Sequence, residues 1–280
     1  MVLNLSGEND SRIEVNLLKD ILGKSKFSKY IHIYDCLDST NTLAKKFAAE
    51  GAPEGTVVVA EEQSSGRGRM GRPWISPGYL NLLFSVLLRP KIRVEKVFVL
   101  TMVLALASSE CVEETGNLCV MIKWPNDLFV SERKLGGMLT EFHIREKVVE
   151  YIVLGLGLNI NWSPEDLEDS STKAFKGLML YPATSIMKET GHSISRTYLL
   201  AEILKRFEIY YKKVLDGYLD DFYDKWNRRS MLFGKMVEVM VMDERIYGKA
   251  IKIDYDGALI ILDEKGNMRR ILNGDVSVKF

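Results

Sequence analysis

The spacing of apolar residues changes period several times along the chain, and each change predicts an element. Val15 to Leu22 reads as one short helix, and Ile31 to Tyr34 as a strand. After Asp38-Ser39-Thr40-Asn41, the apolar residues Leu43, Ala44, Phe47 and Ala48 fall at helical spacing. Thr56 to Ala60 is β-branched and apolar, which suits a buried strand. A Gly- and Arg-rich loop runs from Glu62 to Tyr79, and Asn81 to Leu88 is the next strand, stopped by Arg89-Pro90. Lys96 to Glu114 is a long segment, apolar on most sides, which predicts a buried helix. Val120–Lys123, Leu128–Val130, Gly137–Phe142 and Val149–Ile160 are strands joined by short turns. They lie too close together for helical crossovers, so the sheet is expected to be largely antiparallel.

Residues 162–182 read as irregular. Leu199, Leu200, Ile203, Leu204, Phe207, Tyr210, Tyr211 and Val214 then repeat at three and four, predicting a helix over Arg196–Val214 with Ser195 as its N-cap. A last helix is expected near Tyr218–Trp226. Beyond Ser230 the pattern becomes short strands: Met236–Val241, Ile246–Ile253, Ala258–Leu262, Arg269–Leu272 and Val276–Lys279. Asp256-Gly257 and Lys265-Gly266-Asn267 supply the turns, as in a small barrel. The expected organisation is a tail and short helix over 1–30, a mixed α+β domain over 31–230, and a small β-domain over 231–280.

Charge narrows the partners. Lys+Arg and Asp+Glu both number 38, so the net charge is zero and gives no electrostatic reason to expect nucleic acid or membrane. Cys36, Cys111 and Cys119 form no Cys-x-x-Cys pair, which fits reduced thiols. Residues 1–12 are polar and acidic, unlike a signal peptide, and read as a mobile tail. No apolar run reaches the ~18 residues of a membrane helix. A cytoplasmic protein is expected.

Three stretches carry chemistry. In Gly66-Arg67-Gly68-Arg69-Met70-Gly71-Arg72-Pro73-Trp74, glycines alternate with arginines. Glycine lets the backbone approach a ligand, and arginine offers a fork matched to phosphate oxygens. A generic Arg/Gly run is a solvated basic loop; with a strand on each side and a tryptophan at its end, a ligand cradle is the better reading. It has neither the Gly-Lys-Ser/Thr ending of a Walker loop nor the spacing of a dinucleotide fingerprint. In Lys123-Trp124-Pro125-Asn126-Asp127 and Lys134-Leu135-Gly136-Gly137, a carboxylate that could hold Mg²⁺ lies near a lysine that could offset transition-state charge. A surface ion pair on a hairpin is the alternative. In Leu154-Gly155-Leu156-Gly157-Leu158-Asn159, alternate glycines bare one strand face, either as a pocket floor or for close packing. His32, His143 and His192 lack metal-ligand spacing, and no Gly-x-Ser-x-Gly elbow occurs.

Taken together these stretches resemble the biotin protein ligase family: Asp-Ser-Thr-Asn41, the Gln63–Trp74 loop, Lys123 to Asp127, Lys134-Leu-Gly-Gly137, Gly155 to Asn159 and a closing Gly274-Asp275-Val276-Ser277, in family order. The resemblance spans Ile31 to the C-terminus. It implies an α+β, class II synthetase-like ligase domain and a Src-homology-3-like barrel. It also implies that biotin and MgATP form biotinyl-5′-AMP. Biotin is then transferred to a lysine of a biotin carboxyl carrier protein or domain of a carboxylase or decarboxylase. Ser39, Thr40, Asn41, Gln63, Gly66, Arg67, Lys134, Gly155 and Gly157 would contact biotin. Arg67, Arg69, Arg72, Trp74, Asn126, Asp127 and Asn159 would contact ATP, with Asp127 serving the metal. Lys134, Arg69 and Asp127 would be catalytic. Met70 and Lys279 depart from the family: the first stands where relatives are often basic, the second where some have an arginine against the nucleotide. A monomer and a homodimer both fit.

Rival readings differ in substrate or class. A lipoate or octanoyl ligase or transferase shares the fold, but the Arg-Gly loop and Lys-Trp-Pro-Asn-Asp favour biotin. A DNA-binding repressor needs more than the one short helix available ahead of Ile31. A non-catalytic biotin-binding protein would not need Lys134 or the arginines.

Overall fold

A computed structural model describes residues 12–75, 77–146, 148–163, 181–241 and 244–278. The tail over 1–11, most of the segment read as irregular, and Lys279 lie outside these residues. The main sheet has seven strands in the order β1-β2-β3-β7-β6-β5-β4. These are β1 (Ile31–Leu37), β2 (Val57–Gln63), β3 (Leu82–Leu88), β4 (Met121–Lys123), β5 (Asp127–Val130), β6 (Arg133–Arg145) and β7 (Val148–Leu158). Every pairing is antiparallel except β1–β2, where α2 (Thr40–Ala49) makes the crossover that parallel strands require. The expectation of a largely antiparallel mixed sheet is met.

Alternation along the central strands sorts the chain into two layers. Val57, Val59, Phe84, Val86, Leu154 and Leu156 face the main core, with α3 (Val97–Gly116) and, packed on it, α5 (Arg196–Leu215). Val58, Leu87 and Val153 face the other way, against Ala44 and Ala48 of α2. α3 is apolar on most sides because it touches the sheet, α5 and the C-terminal unit, where Gly257 meets Phe98 and Met102. α1 (Val15–Leu22) packs on α5, whose N-cap is Ser195, the side chain accepting from Tyr198 N–H. Two helices flank α5 in sequence: α4 (Ile186–Thr190), which the periodicity did not predict, and α6 (Asp220–Arg228).

The C-terminal unit is a five-stranded antiparallel sheet, ordered β11-β10-β9-β8-β12. Its strands are β8 (Met236–Val241), β9 (Glu244–Ile253), β10 (Leu259–Asp263), β11 (Met268–Ile271) and β12 (Asp275–Val278). It is tied to the main sheet by Trp124 Nε1, which donates to Gly257 O at 2.9 Å, and by Met231 N, which donates to Ile122 O at 3.1 Å. Among the described residues, no helix is long and apolar enough to cross a membrane.

Candidate active site

The α2 face of the sheet is not covered along its whole length. Beyond the start of α2 the odd-numbered positions of β7 become Gly155 and Gly157, and a cavity of about 450 Å³ opens over them. Its walls come from the start of α2, the Gly-Arg loop, the β5–β6 hairpin and the C-terminal sheet.

The Gly-Arg loop connects antiparallel neighbours, β2 and β3, so it leaves and rejoins the sheet at one end. Its neck is closed by Trp74 N–H on Gly66 O (2.8 Å) and Gly68 N–H on Arg72 O (2.7 Å). Gly66 is required there because a Cβ would come within 2.6 Å of Trp74 O; it shapes the neck and is not in the cavity wall. The arginines are not loose. Arg67 donates to Thr42 Oγ1 at 2.7 Å. Arg69 donates to Gly274 O at 3.3 Å and to the Asn273 side chain, and Arg72 pairs with Asp275. The loop is thus docked on the segment entering β12. Burial lowers the Arg69 pKa from its usual value, with the carboxylates of Asp275 and Asp127 opposing the shift.

A register slip assembles the opposite wall. In β5–β6, Asp127 faces Gly137 and Leu128 faces Gly136, but Phe129 faces Lys134, where regular pairing would put Leu135. This bulge turns Lys134 to the Asp127 face and sends Leu135 into the core. Lys134 Nζ then lies 2.9 Å from Asp127 Oδ1 and 5.6 Å from the centre of the Trp74 ring. The indole rests on Gly157, where a Cβ would fall 2.5 Å from Trp74 Cε2, and beside Gly137. Trp74 Nε1 is buried and has no hydrogen-bond partner among the described residues, an orphan donor inside the wall.

Lys123 is the residue the sequence reading missed. It pairs with Asp127 across β4–β5, lines the cavity, and is 6% exposed. Burial pushes its ammonium down to about 8, against the pull of Asp127. The signal was available: Lys123 and Asp127 bracket the turn in Lys-Trp-Pro-Asn-Asp, so a hairpin there puts them opposite each other. Asp275 was quoted in the closing Gly274-Asp275 pair but given no role, and it too lines the cavity. Asn126 and Asn159 reach the wall while their amide nitrogens are held by Met138 O (2.6 Å) and Thr184 O (2.9 Å).

The polar end is built by the first turn of α2. Ser39, Thr40 and Asn41 are nearly buried, and Thr40 N–H donates to Gln63 Oε1 at 2.8 Å. Asn41 fills the space left by Gly155, where any Cβ would collide with its Oδ1. Both readings of the glycine strand therefore hold at once: the two glycines admit close neighbours, and those neighbours are cavity walls. Among the described residues, no three His, Cys, Asp or Glu side chains gather as a metal cluster.

A profile of the Biotin/lipoate A/B protein ligase family matches residues 33–159, and one of the Biotin protein ligase C terminal domain matches residues 232–279. The Bacillus subtilis (strain 168) "Bifunctional ligase/repressor BirA" is 31% identical over 270 residues, covering 96% of this chain and 79% of that protein. The chain belongs to the biotin protein ligase family. Another member, the Paracoccus denitrificans "Biotin--[acetyl-CoA-carboxylase] ligase", is 30% identical over 237 residues, covering 82% of this chain and 92% of that one. A biotin protein ligase from Aquifex aeolicus, solved with biotin and ATP, superposes with a TM-score of 0.73 at 29% identity, over 90% of this chain and 99% of that one. Family and fold therefore agree with the resemblance drawn from the residues.

Proposed function

We propose that the chain activates biotin with MgATP as biotinyl-5′-AMP, then transfers biotin to a lysine of a biotin carboxyl carrier domain, acting in the cytoplasm. The observation that carries this is a single cavity with a polar end at Thr40 and Gln63 and a cationic end at Lys123, Lys134, Arg69 and Arg72. One end suits an uncharged polar ring, and the other a carboxylate meeting a triphosphate.

The reaction brings two anions together. The biotin carboxylate attacks the α-phosphate of ATP, and pyrophosphate leaves. Lys134 neutralises charge that builds on the reacting oxygens, a contribution typically worth about 10²–10³ in rate. Arg67 and Arg69 hold the adenylate's acyl-phosphate region, Arg72 and Lys123 the polyphosphate, and Trp74 packs beside the nucleotide with its indole N–H free to donate. Ser39, Thr40, Asn41 and Gln63 bind the ureido ring, while Gly155 and Gly157 make room for the Asn41 and Trp74 side chains that wall the pocket. Asn126 and Asn159 shape the wall. Mg²⁺ commonly takes one or two carboxylates together with substrate phosphates, and Asp127, set among cations, fits that donor set; the ion would screen the triphosphate. The acceptor lysine then attacks the acyl carbon and AMP leaves.

The test is pyrophosphate release from purified protein with ATP and biotin or lipoate, with and without a biotin carboxyl carrier domain. Release with biotin and labelling of the carrier lysine are expected. Release with lipoate alone would assign the chain to the lipoate branch instead.

A further inference from the structure

The polar end of the cavity contains a hydrogen-bonded chain whose protons can be assigned. Lys45 pairs with Glu141 at its outer end. Asn41 Nδ2 donates to Glu141 Oε2 at 2.9 Å and to Leu139 O at 3.1 Å, so the amide orientation is fixed and Oδ1 points the other way. That oxygen lies 2.6 Å from Ser85 Oγ, and Ser85 Oγ lies 2.8 Å from Thr40 Oγ1. Thr40 Oγ1 in turn is 3.2 Å from Gln63 Oε1, which already accepts from Thr40 N–H at 2.8 Å. The Gln63 amide therefore turns its nitrogen outward, toward Gly66.

A hydroxyl has one proton to give. If Ser85 gave its proton to Thr40, two bare oxygens, Ser85 Oγ and Asn41 Oδ1, would face each other at 2.6 Å in a fully buried site. If Ser85 gives it to Asn41, the proton between the two hydroxyls belongs to Thr40. The short contact is then satisfied, and only the long 3.2 Å approach to Gln63 goes unprotonated. The second arrangement wins, because an unmade hydrogen bond between buried groups costs more than a stretched one.

We propose that Ser85 is a positioning residue that fixes the polarity of the ligand pocket: it holds the Thr40 hydroxyl as an acceptor toward the ligand, beside the Gln63 amide nitrogen as a donor. Such a pair takes one ligand N–H and one adjacent carbonyl, the pattern of a cyclic urea. A dithiolane ring offers neither. The selectivity of the site for a ureido head over an apolar sulfur ring is thereby set from a side chain buried in β3 behind the pocket. Ser85 stands opposite Gly155, whose missing Cβ lets Asn41 reach it. This inference rests on the biotin reading above and adds the residue that orients it.

The experiment is calorimetric titration of the full chain with biotin, and separately with MgATP, for wild type, Ser85→Ala, Thr40→Val and the double variant. Ser85→Ala should weaken biotin about tenfold, the loss of one oriented hydrogen bond, and leave ATP affinity unchanged. Thr40→Val should weaken biotin similarly, and the double variant should bind no more weakly than Thr40→Val alone, because Ser85 acts through Thr40. Additive losses, or equal losses for biotin and ATP, overturn the proposal by making Ser85 a packing residue. If Ser85→Ala melts early, Ser85→Cys, which keeps a weak donor and acceptor, should give an intermediate biotin affinity; wild-type affinity there overturns the proposal too. A wild-type protein that binds no biotin overturns the functional reading itself, and this inference with it.

Discussion

Affinity for ATP should fall as pH rises through about 8, and Lys123 should be the cause. Its ammonium is nearly buried, faces Asp127 across the hairpin, and is pushed down to about 8 by desolvation. A lysine is charged below its pKa, so Lys123 is about nine tenths charged at pH 7 and about one tenth at pH 9. A polyphosphate stabilises the charged form and draws the pKa back toward its ordinary 10.5. Binding in the window between about 8 and 10.5 must then take up a proton, and affinity falls through that window. If recovery of the pKa is complete, linkage puts the ratio of ATP affinities at pH 7 and pH 9.5 at about 30. The assay is the KM for ATP in pyrophosphate release at saturating biotin, from pH 7 to 9.5, for wild type and Lys123→Arg. Arginine keeps its charge throughout, so its profile should be nearly flat. Two profiles that rise together would refute the reasoning, since the titrating group would lie elsewhere.

Four further outcomes follow from the same geometry. Lys134→Ala should slow adenylate formation by about 10²-fold or more while leaving biotin affinity nearly unchanged, measured as single-turnover rate against titrated affinity. Arg69→Gly removes a charge-assisted contact worth about 1.5–3 kcal/mol, so the adenylate should form but leave ten to a hundred times faster; biotin labelling of an unrelated lysine-rich protein measures it, and no bystander labelling would exonerate Arg69. Gly157→Val should displace the Trp74 ring it supports, which would abolish ATP binding with little change in melting temperature; wild-type ATP affinity would show that the ring's seat is dispensable. The 280-residue chain, with zero net charge, should give no salt-resistant, sequence-selective mobility shift with DNA.

Much of the fold was legible because burial imposes a period. The β-branched run at Thr56–Ala60 became β2 because that strand buries both faces, and the three-four spacing of Leu199–Val214 became α5 because that helix has one broad face to bury. The antiparallel sheet followed from connections too short to hold a helix. The five-residue α4 had too few turns to show a period. The site was legible in its residue types and opaque in its pairings. Sequence spacing puts Lys134 near Asp127, but only the bulge at Leu128/Phe129 decides that both share a face, and a one-residue slip leaves no mark on composition. The turn in Lys-Trp-Pro-Asn-Asp was enough to set Lys123 opposite Asp127, but its lowered pKa comes from burial, a property of the assembled sheet that spacing does not show. The polar chain through Ser85 joins α2, β2, β3 and β6, four segments with no common pattern.

The charge balance of the cavity accounts for the docking of the Gly-Arg loop on the C-terminal sheet. Four cations, Lys123, Lys134, Arg69 and Arg72, face one another across a partly buried space, and their repulsion would be costly without counter-charge. Asp127 answers Lys134 from within the catalytic sheet, whereas Asp275 answers Arg72 from the C-terminal one, with Asn273 and Gly274 accepting from Arg69. A phosphate entering the site must therefore exchange with protein acceptors rather than meet bare guanidinium groups, and binding strength is the difference between the two sets of contacts. Under the adenylation proposed above, that exchange would tie the C-terminal sheet to nucleotide binding: by supplying acceptors that the arginines leave, it would set how readily the loop changes partners when the adenylate forms.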